Sequence, residues 1–341
     1  MRPGFPLFWQ PRSVASSLAS LPLAGSVRAK HDVTRAVTGQ DFASHPLIVA
    51  ELAGGKIIGD LRLAATAEDQ VIGGMQSIFG CDRPESHYLI RRRRLRFPVR
   101  RPGTGWLLGM PNGDNYYHWL LDSLPRWRLL QAAGWRDYDW VLLPAGKTCF
   151  QDELLDRLQV PAEKRLRCNK HFVHQFDRLV VPSMPFPLEE VSGWACDWVR
   201  SLFPTTGSGP EKIYLSRRGG RGRQIVNEAE LQSALEARGF VVLQMEQFSV
   251  TEQAAQLSGA RCVVAAHGAA LSNLVFAPPG ALLLELFHPQ HKNRCYVNLA
   301  AACGHRYASR DGRAGNVFFA RGLEYAVDVP AVLQIIRKTS S

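Results

Sequence analysis

The chain reads as an α/β protein: two Rossmann-like halves facing one another across a cleft. Three observations predict this. Apolar runs alternate with amphipathic stretches over residues 46–190 and again over 211–341, and strand–helix alternation implies parallel sheets with helices on their faces. A Pro-, Ser- and Gly-rich region, 183–210, separates the two alternations around one helical stretch, Trp194–Phe203, which sets a linker at 191–210. In the second half, the apolar run Cys262–Ala266 leads into a His267-Gly268 turn, a helix stopped by Pro278-Pro279 and a second apolar run, Ala281–Leu286. Such a unit leaves the first N–H groups of its helix open to an anion.

Taken in order, residues 1–45 carry no clear period and form a poorly defined leader. Leu47–Ala50, Lys56–Ile58, Tyr88–Ile90 and Trp106–Leu108 read as strands between Gly- and Asp-rich turns. Tyr116–Ala133 is predicted helical because Leu120, Leu121, Leu124, Trp127 and Leu130 recur at three- and four-residue steps. A strand at Trp140–Leu143, a helix at Phe150–Leu158 and a strand at Arg178–Pro182 complete the first half. The second half opens with a strand at Lys212–Leu215. It continues through a helix at 228–238, a strand at Phe240–Leu243, a helix at 251–258 and the unit around His267. A strand near Val317–Phe319 and a helix from Pro330 close it.

The composition narrows the partners. Of 341 residues, 46% are hydrophobic, enough for proper cores, and the net charge of +11 calls for an anionic partner: a nucleotide sugar, an acidic glycan, a membrane lipid or a nucleic acid. Seven scattered cysteines without a CxxC pair support neither zinc nor a disulfide framework, so a reducing cytoplasm is the expected home. No run of about 18 apolar residues is present to span a bilayer, although a basic peripheral contact with an anionic membrane fits the charge.

Three segments carry chemistry. In Asn115-Tyr116-Tyr117-His118-Trp119-Leu120-Leu121-Asp122, His118 and Asp122 stand four apart and share a helical face. The carboxylate can orient the imidazole, either group can serve as general base, or the two can simply pair as neighbours. In the second, an apolar strand runs through Ser216-Arg217 into a Gly-rich basic loop with Arg223, then into a helix capped by Asn227. Guanidinium forks on such a loop suit phosphate oxygens. In the third, Gly268 and Ala269 at the helix start let phosphates approach the backbone, and Glu285, read as ending its strand, is placed for ribose hydroxyls. Other patterns fall away. Ala145-Gly146-Lys147-Thr148 would put the first glycine of a P-loop at Val141, and Asp137 and Asp139 precede a strand rather than end one; the Arg91–Arg96 run suits RNA, lipid or an acidic glycan, with a solvated strand edge the commoner explanation.

In this order the three segments resemble glycosyltransferase family 61, in particular members linked to bacterial capsular and other surface polysaccharides. Asn115, His118 and Asp122 match its Asn-x-x-His-x-x-x-Asp element. Ser216, Arg217, Arg223, Asn227 and Glu228 match its basic loop. His267, Gly268, Ala269, Leu271, Asn273 and Glu285 match its C-terminal element. Trp119 departs from the acid found there in many eukaryotic members. The resemblance implies a GT-B arrangement and inverting transfer without an essential metal or other cofactor. It places the nucleotide-sugar donor on the second half, with Ser216, Arg217, Arg223, Asn227, His267, Gly268, Ala269, Asn273 and Glu285. A saccharide or lipid-linked glycan acceptor falls to the first half, with Asn115 and Tyr117 beside the catalytic pair His118 and Asp122. No nucleic acid is expected under this reading. The rival readings are a basic protein that binds anionic polymers, which leaves His118, Asp122 and Glu285 without a task, and an inactive GT-B scaffold.

Overall fold

The structure, a computed structural model, describes residues 13–15, 32–36, 47–61, 63–72, 97–186, 190–219, 222–314 and 324–340. The expected strands Tyr88–Ile90 and Val317–Phe319 and the Arg91–Arg96 run lie outside them. The chain divides into two compact units, Met1–Leu188 and Glu189–Ser341.

In the first unit ten strands form one sheet: β1 (Ser13–Ala15), β2 (Asp32–Ala36), β3 (Ile48–Ala53), β4 (Lys56–Ile58), β5 (Leu63–Ala65), β6 (Gln70–Ile72), β7 (Val99–Leu107), β8 (Trp140–Pro144), β9 (Arg165–Cys168) and β10 (Val173–Pro182). The order is β1-β6-β5-β4-β10-β7-β8-β9, with β3 also on β10 and β2 on β3. Strands β10, β7, β8 and β9 run parallel, but β2 to β6 pair antiparallel among themselves or with β10. The all-parallel expectation is therefore corrected for this half. Strands β3 and β4 lie end to end on β10 in one register, and between β4 and β6 the chain turns tightly through left-handed residues at Gly59, Leu61 and Asp69; turns this short can join only antiparallel neighbours. The leader is also not wholly without structure, since β1 pairs with β6 and β2 with β3. Strand β7 begins well before Trp106, because its first half alternates exposure while only its second half is buried. Trp106, Trp127 and Tyr138 pack ring to ring behind it, at centroid distances of 4.7–5.6 Å.

The second unit holds a five-stranded sheet: β11 (Lys212–Leu215), β12 (Val241–Leu243), β13 (Cys262–Ala266), β14 (Leu282–Phe287) and β15 (Arg306–Asp311). The order is β12-β11-β13-β14-β15, and every pair is parallel. A short antiparallel pair follows, β16 (Arg313–Ala314) and β17 (Tyr325–Ala326). Strands β13 and β14 are buried along their whole length, as strands covered on both faces must be. Leu231 and Leu235 of the Glu228–Glu236 helix and Val332 and Ile336 of the Val329–Ser340 helix, each pair four apart, pack on one face with Tyr214, Val264 and Leu284. The order reverses between β11 and β13, and in doubly wound sheets ligands bind outside the carboxyl ends of the strands at that reversal. Both β15 and the Cys295–Ala302 helix escape the sequence reading. The helix is apolar nearly all round, and β15 is an edge strand with mostly exposed side chains.

Among the described residues no helix is long and apolar enough to cross a membrane. The described cysteines are all free thiols.

Candidate active site

Two clusters collect the candidate residues, one in each unit. In the first, Tyr116 and Tyr117 open a helix that widens at once into a π-helical turn, His118–Ser123, and resumes as an α-helix at Pro125–Ala132. The widening has a covalent cause. Pro125 has no N–H to give to the preceding turn and its ring crowds a carbonyl there. Leu124 N–H then reaches back five residues to the Trp119 carbonyl, at 2.9 Å. Turns of this kind recur at functional sites. His118 Nδ1 lies 2.6 Å from Asp122 Oδ2; the imidazole side chain is 22% exposed and the carboxylate 7%. Burial pushes the Asp122 carboxyl up, against the lowering pull of His118 and Arg126.

Arg126 is the member of this cluster that sequence reasoning missed. It stands four residues beyond Asp122 on the same face and is fully buried. Its guanidinium donates to the Gly109 carbonyl at 3.1 Å and to Met184 Sδ at 3.1 Å. Burial pushes it down to about 10, with the Asp122 charge pulling the other way. The i, i+4, i+8 spacing was the available signal. Asn115, exposed, accepts from Tyr117 N–H at 2.9 Å and steadies the helix entry, while Tyr117 is buried with its ring edge-on to His118.

In the second unit the carboxyl ends of β11, β13 and β14 bring Ser216, Arg217, His267 and His288 to one edge. Arg217 Nη1 donates to the His267 carbonyl at 2.9 Å. Gly268 makes room for it: a Cβ there would stand 2.1 Å from that same nitrogen. The helix Ala269–Phe276 is a 3₁₀ helix in which Leu271 N–H donates to the Gly268 carbonyl at 3.0 Å, so the N–H groups of Ala269 and Ala270 precede that bond. Gly222 and Arg223 both adopt left-handed backbone, with Arg223 at φ 53°, a strained conformation for a non-glycine residue. Burial, and after it the Arg223 charge, lowers Arg217. Burial also lowers His291, followed by Arg223, His267, His288 and Arg217. Two arginines and three histidines thus crowd one strand edge, an arrangement suited to a diphosphate.

Several expected roles change. Glu285 does not end its strand; it sits two residues inside β14, fully buried, with Oε1 2.5 Å from His267 Nδ1 and Oε2 accepting from Tyr307 OH at 2.7 Å. Both oxygens are thus engaged by protein groups. Asn227 stands at the helix cap position but makes no side-chain cap bond. Its amide instead donates to Val327 O and accepts from Val327 N, each at 2.9 Å. Asn273 is buried and donates to Gln253 at 2.7 Å, which ties the helix to its neighbour. Ser216 Oγ donates to Glu228 at 2.8 Å, and the same Glu228 oxygen accepts from Tyr214 and from Arg217 N–H. Glu228 therefore shapes the entry to the basic loop. Tyr307 and His291 were invisible to sequence reasoning because they lie on an edge strand and in a loop without motif spacing. Asp139 is a backbone anchor, accepting from Thr104 N–H at 2.7 Å.

Comparison with known proteins adds two findings. Residues 116–284 match the family model described as Glycosyltransferase 61, a span that takes in His118, Asp122, the basic loop and His267. A stretch of 103 residues is 37% identical to the EGF domain-specific O-linked N-acetylglucosamine transferase of Drosophila melanogaster, covering 29% of this chain and 19% of that protein. Neither match bears on capsular polysaccharide.

Proposed function

From the premise that this chain carries a glycosyltransferase 61 domain over residues 116–284, we propose that it is an inverting, metal-independent transferase of the GT-B type, moving a sugar from a UDP-linked donor to a saccharide hydroxyl. The observation that carries the donor side is the crowding of Arg217, Arg223, His267, His288 and His291 at the carboxyl edge of a doubly wound sheet. Their donors, with the N–H groups of Ala269 and Ala270, take the charge that builds on the departing diphosphate.

On the acceptor side, His118 is the base and Asp122 its positioning partner. Nδ1 is committed to the carboxylate, so the acceptor O–H gives its proton to Nε2. The acceptor oxygen bonds to the anomeric carbon as the bond from that carbon to the diphosphate breaks on the opposite face. A base of this kind contributes about 10²–10⁴ in rate. Burial raises the Asp122 carboxyl, so the ring loses this partner at a pH above the usual carboxylate range.

The Drosophila relative is named for transfer to EGF domains, which favours a second acceptor reading, a protein hydroxyl. The +11 charge supports a peripheral contact with an anionic surface at the cytoplasmic face of a membrane. Calorimetry with UDP, GDP and CMP and their sugars, with and without EDTA, tests the donor side. Micromolar binding of one nucleotide, indifferent to EDTA, is expected; salt-sensitive polyanion binding with no nucleotide affinity overturns it. Donor turnover with saccharide acceptors against a folded EGF domain then separates the two acceptor readings.

A further inference from the structure

We infer that Glu285 and Tyr307 are positioning residues for His267, committing its Nδ1 inside the protein so that Nε2 is the nitrogen that meets the donor diphosphate. This rests on the reading of the second unit as the donor half.

Three neighbouring parallel strands each supply one member. Ala265, Glu285 and Ser309 lie side by side across β13, β14 and β15, and Leu283 lies beside Tyr307. His267 follows Ala265 by two residues and Tyr307 precedes Ser309 by two. The period of a strand therefore puts His267, Glu285 and Tyr307 on one face of the sheet. The residues flanking Glu285 in β14 are Leu282, Leu283, Leu284, Leu286 and Phe287, all buried. A carboxylate in that setting is costly unless its oxygens are hydrogen-bonded, and here each has a partner, at 2.5 Å and 2.7 Å.

The chemistry of the donors decides the tautomer. Tyr307 has one proton and gives it to Oε2. The ionised carboxylate has none to give, so the short contact at Oε1 needs the proton on His267 Nδ1. A partner on one ring nitrogen fixes the role of the other. His267 is thereby held twice, by its ring through Glu285 and by its carbonyl through Arg217, which couples the ring's aim to the placement of the guanidinium. Phe287 stacks on a face of the ring at 5.2 Å, and His291 and Tyr296 pack against it at steep angles, with centroids 5.4 and 5.2 Å away.

Nitrogen-15 NMR of the full chain labelled in its histidine rings tests this, with His267→Asn identifying the signal. The expected result is an Nδ1–H tautomer in the free protein and an Nε2 resonance that moves when UDP is added. Tyr307→Phe should keep the tautomer and weaken UDP binding about 3- to 10-fold. Glu285→Leu should mix the tautomers and weaken binding further; should that variant fail to fold, Tyr307→Phe carries the test. A proton on Nε2 in the free protein, UDP bound without moving the His267 signal, or full affinity in Tyr307→Phe overturns the inference. If UDP does not bind the unaltered chain, the donor reading fails, and the tautomer of the free protein still decides whether Glu285 and Tyr307 hold the ring as inferred.

Discussion

Each unit builds one histidine–carboxylate pair, and the two differ in almost every respect except contact distance. His118 and Asp122 are four residues apart on one helix; His267 and Glu285 are eighteen apart on neighbouring strands. The first imidazole is 22% exposed, the second 8%, and Glu285 is wholly enclosed. The difference separates two uses of one chemical pair. Under the proposed function, a base that must reach an acceptor sits at a partly open turn. An orienting anchor must not wander, so it is enclosed among leucines where breaking it is costly.

Substitutions can break this contrast. Asp122→Asn should lower kcat by about 10²–10⁴ while leaving UDP binding unchanged. Because burial disfavours the charged form of Asp122, the neutral amide should leave the melting temperature level or slightly raised. Thermal melts and initial rates on the same preparation check both halves; a collapse of UDP affinity would put Asp122 on the donor side. His267→Ala should do the reverse to stability, costing roughly 3–5 kcal/mol in urea unfolding because it strands a buried carboxylate. A loss below about 1 kcal/mol would mean that the His267 contact contributes little to the fold.

Gly268→Ala sharpens the donor half. The added carbon meets the Arg217 guanidinium, displacing a charged donor from its carbonyl, and should cost about 1.5–3 kcal/mol of UDP affinity with little change in the fold. Full affinity by calorimetry would show that Arg217 reaches the phosphates from another place. The smallest effect concerns acid stability in the first unit. His174, buried, has its imidazole pushed down to about 4, chiefly by burial and then by Arg101. A base lowered on folding protects the fold above its unfolded pKa of about 6.5 and loses that protection as pH falls toward 4. His174→Gln should therefore flatten the loss of stability between those limits by about 1–2 kcal/mol, after allowance for solvent screening. An unchanged pH profile of melting temperature would assign the acid lability elsewhere.

What the sequence revealed follows the same division. The helix carrying His118 was legible because leucines and Trp127 keep a helical period, and the pair because its spacing is local. The π-turn was not, although Pro125 is its cause, since a proline there also fits an ordinary helix start. In the second unit the strand and turn at His267 were legible from an apolar run ending in His-Gly. The partners of Glu285 were not legible because they come from other strands, and one of those, β15, is an exposed edge strand with no period to read. The antiparallel pairing of β2 to β6 was likewise hidden, because short apolar runs do not declare their direction.

Asn227 has a consequence for how the protein is made. Its amide clasps Val327 by both backbone groups, a hundred residues later in the chain, and Ile225 bridges to Tyr325 beside it. At about 5–20 residues per second of synthesis, the basic loop waits roughly 5–20 s for its clasp to emerge. Until then Arg217 and Arg223 belong to an unfinished edge, so the arginine-bearing end of this sheet is completed only after Val327 has been made.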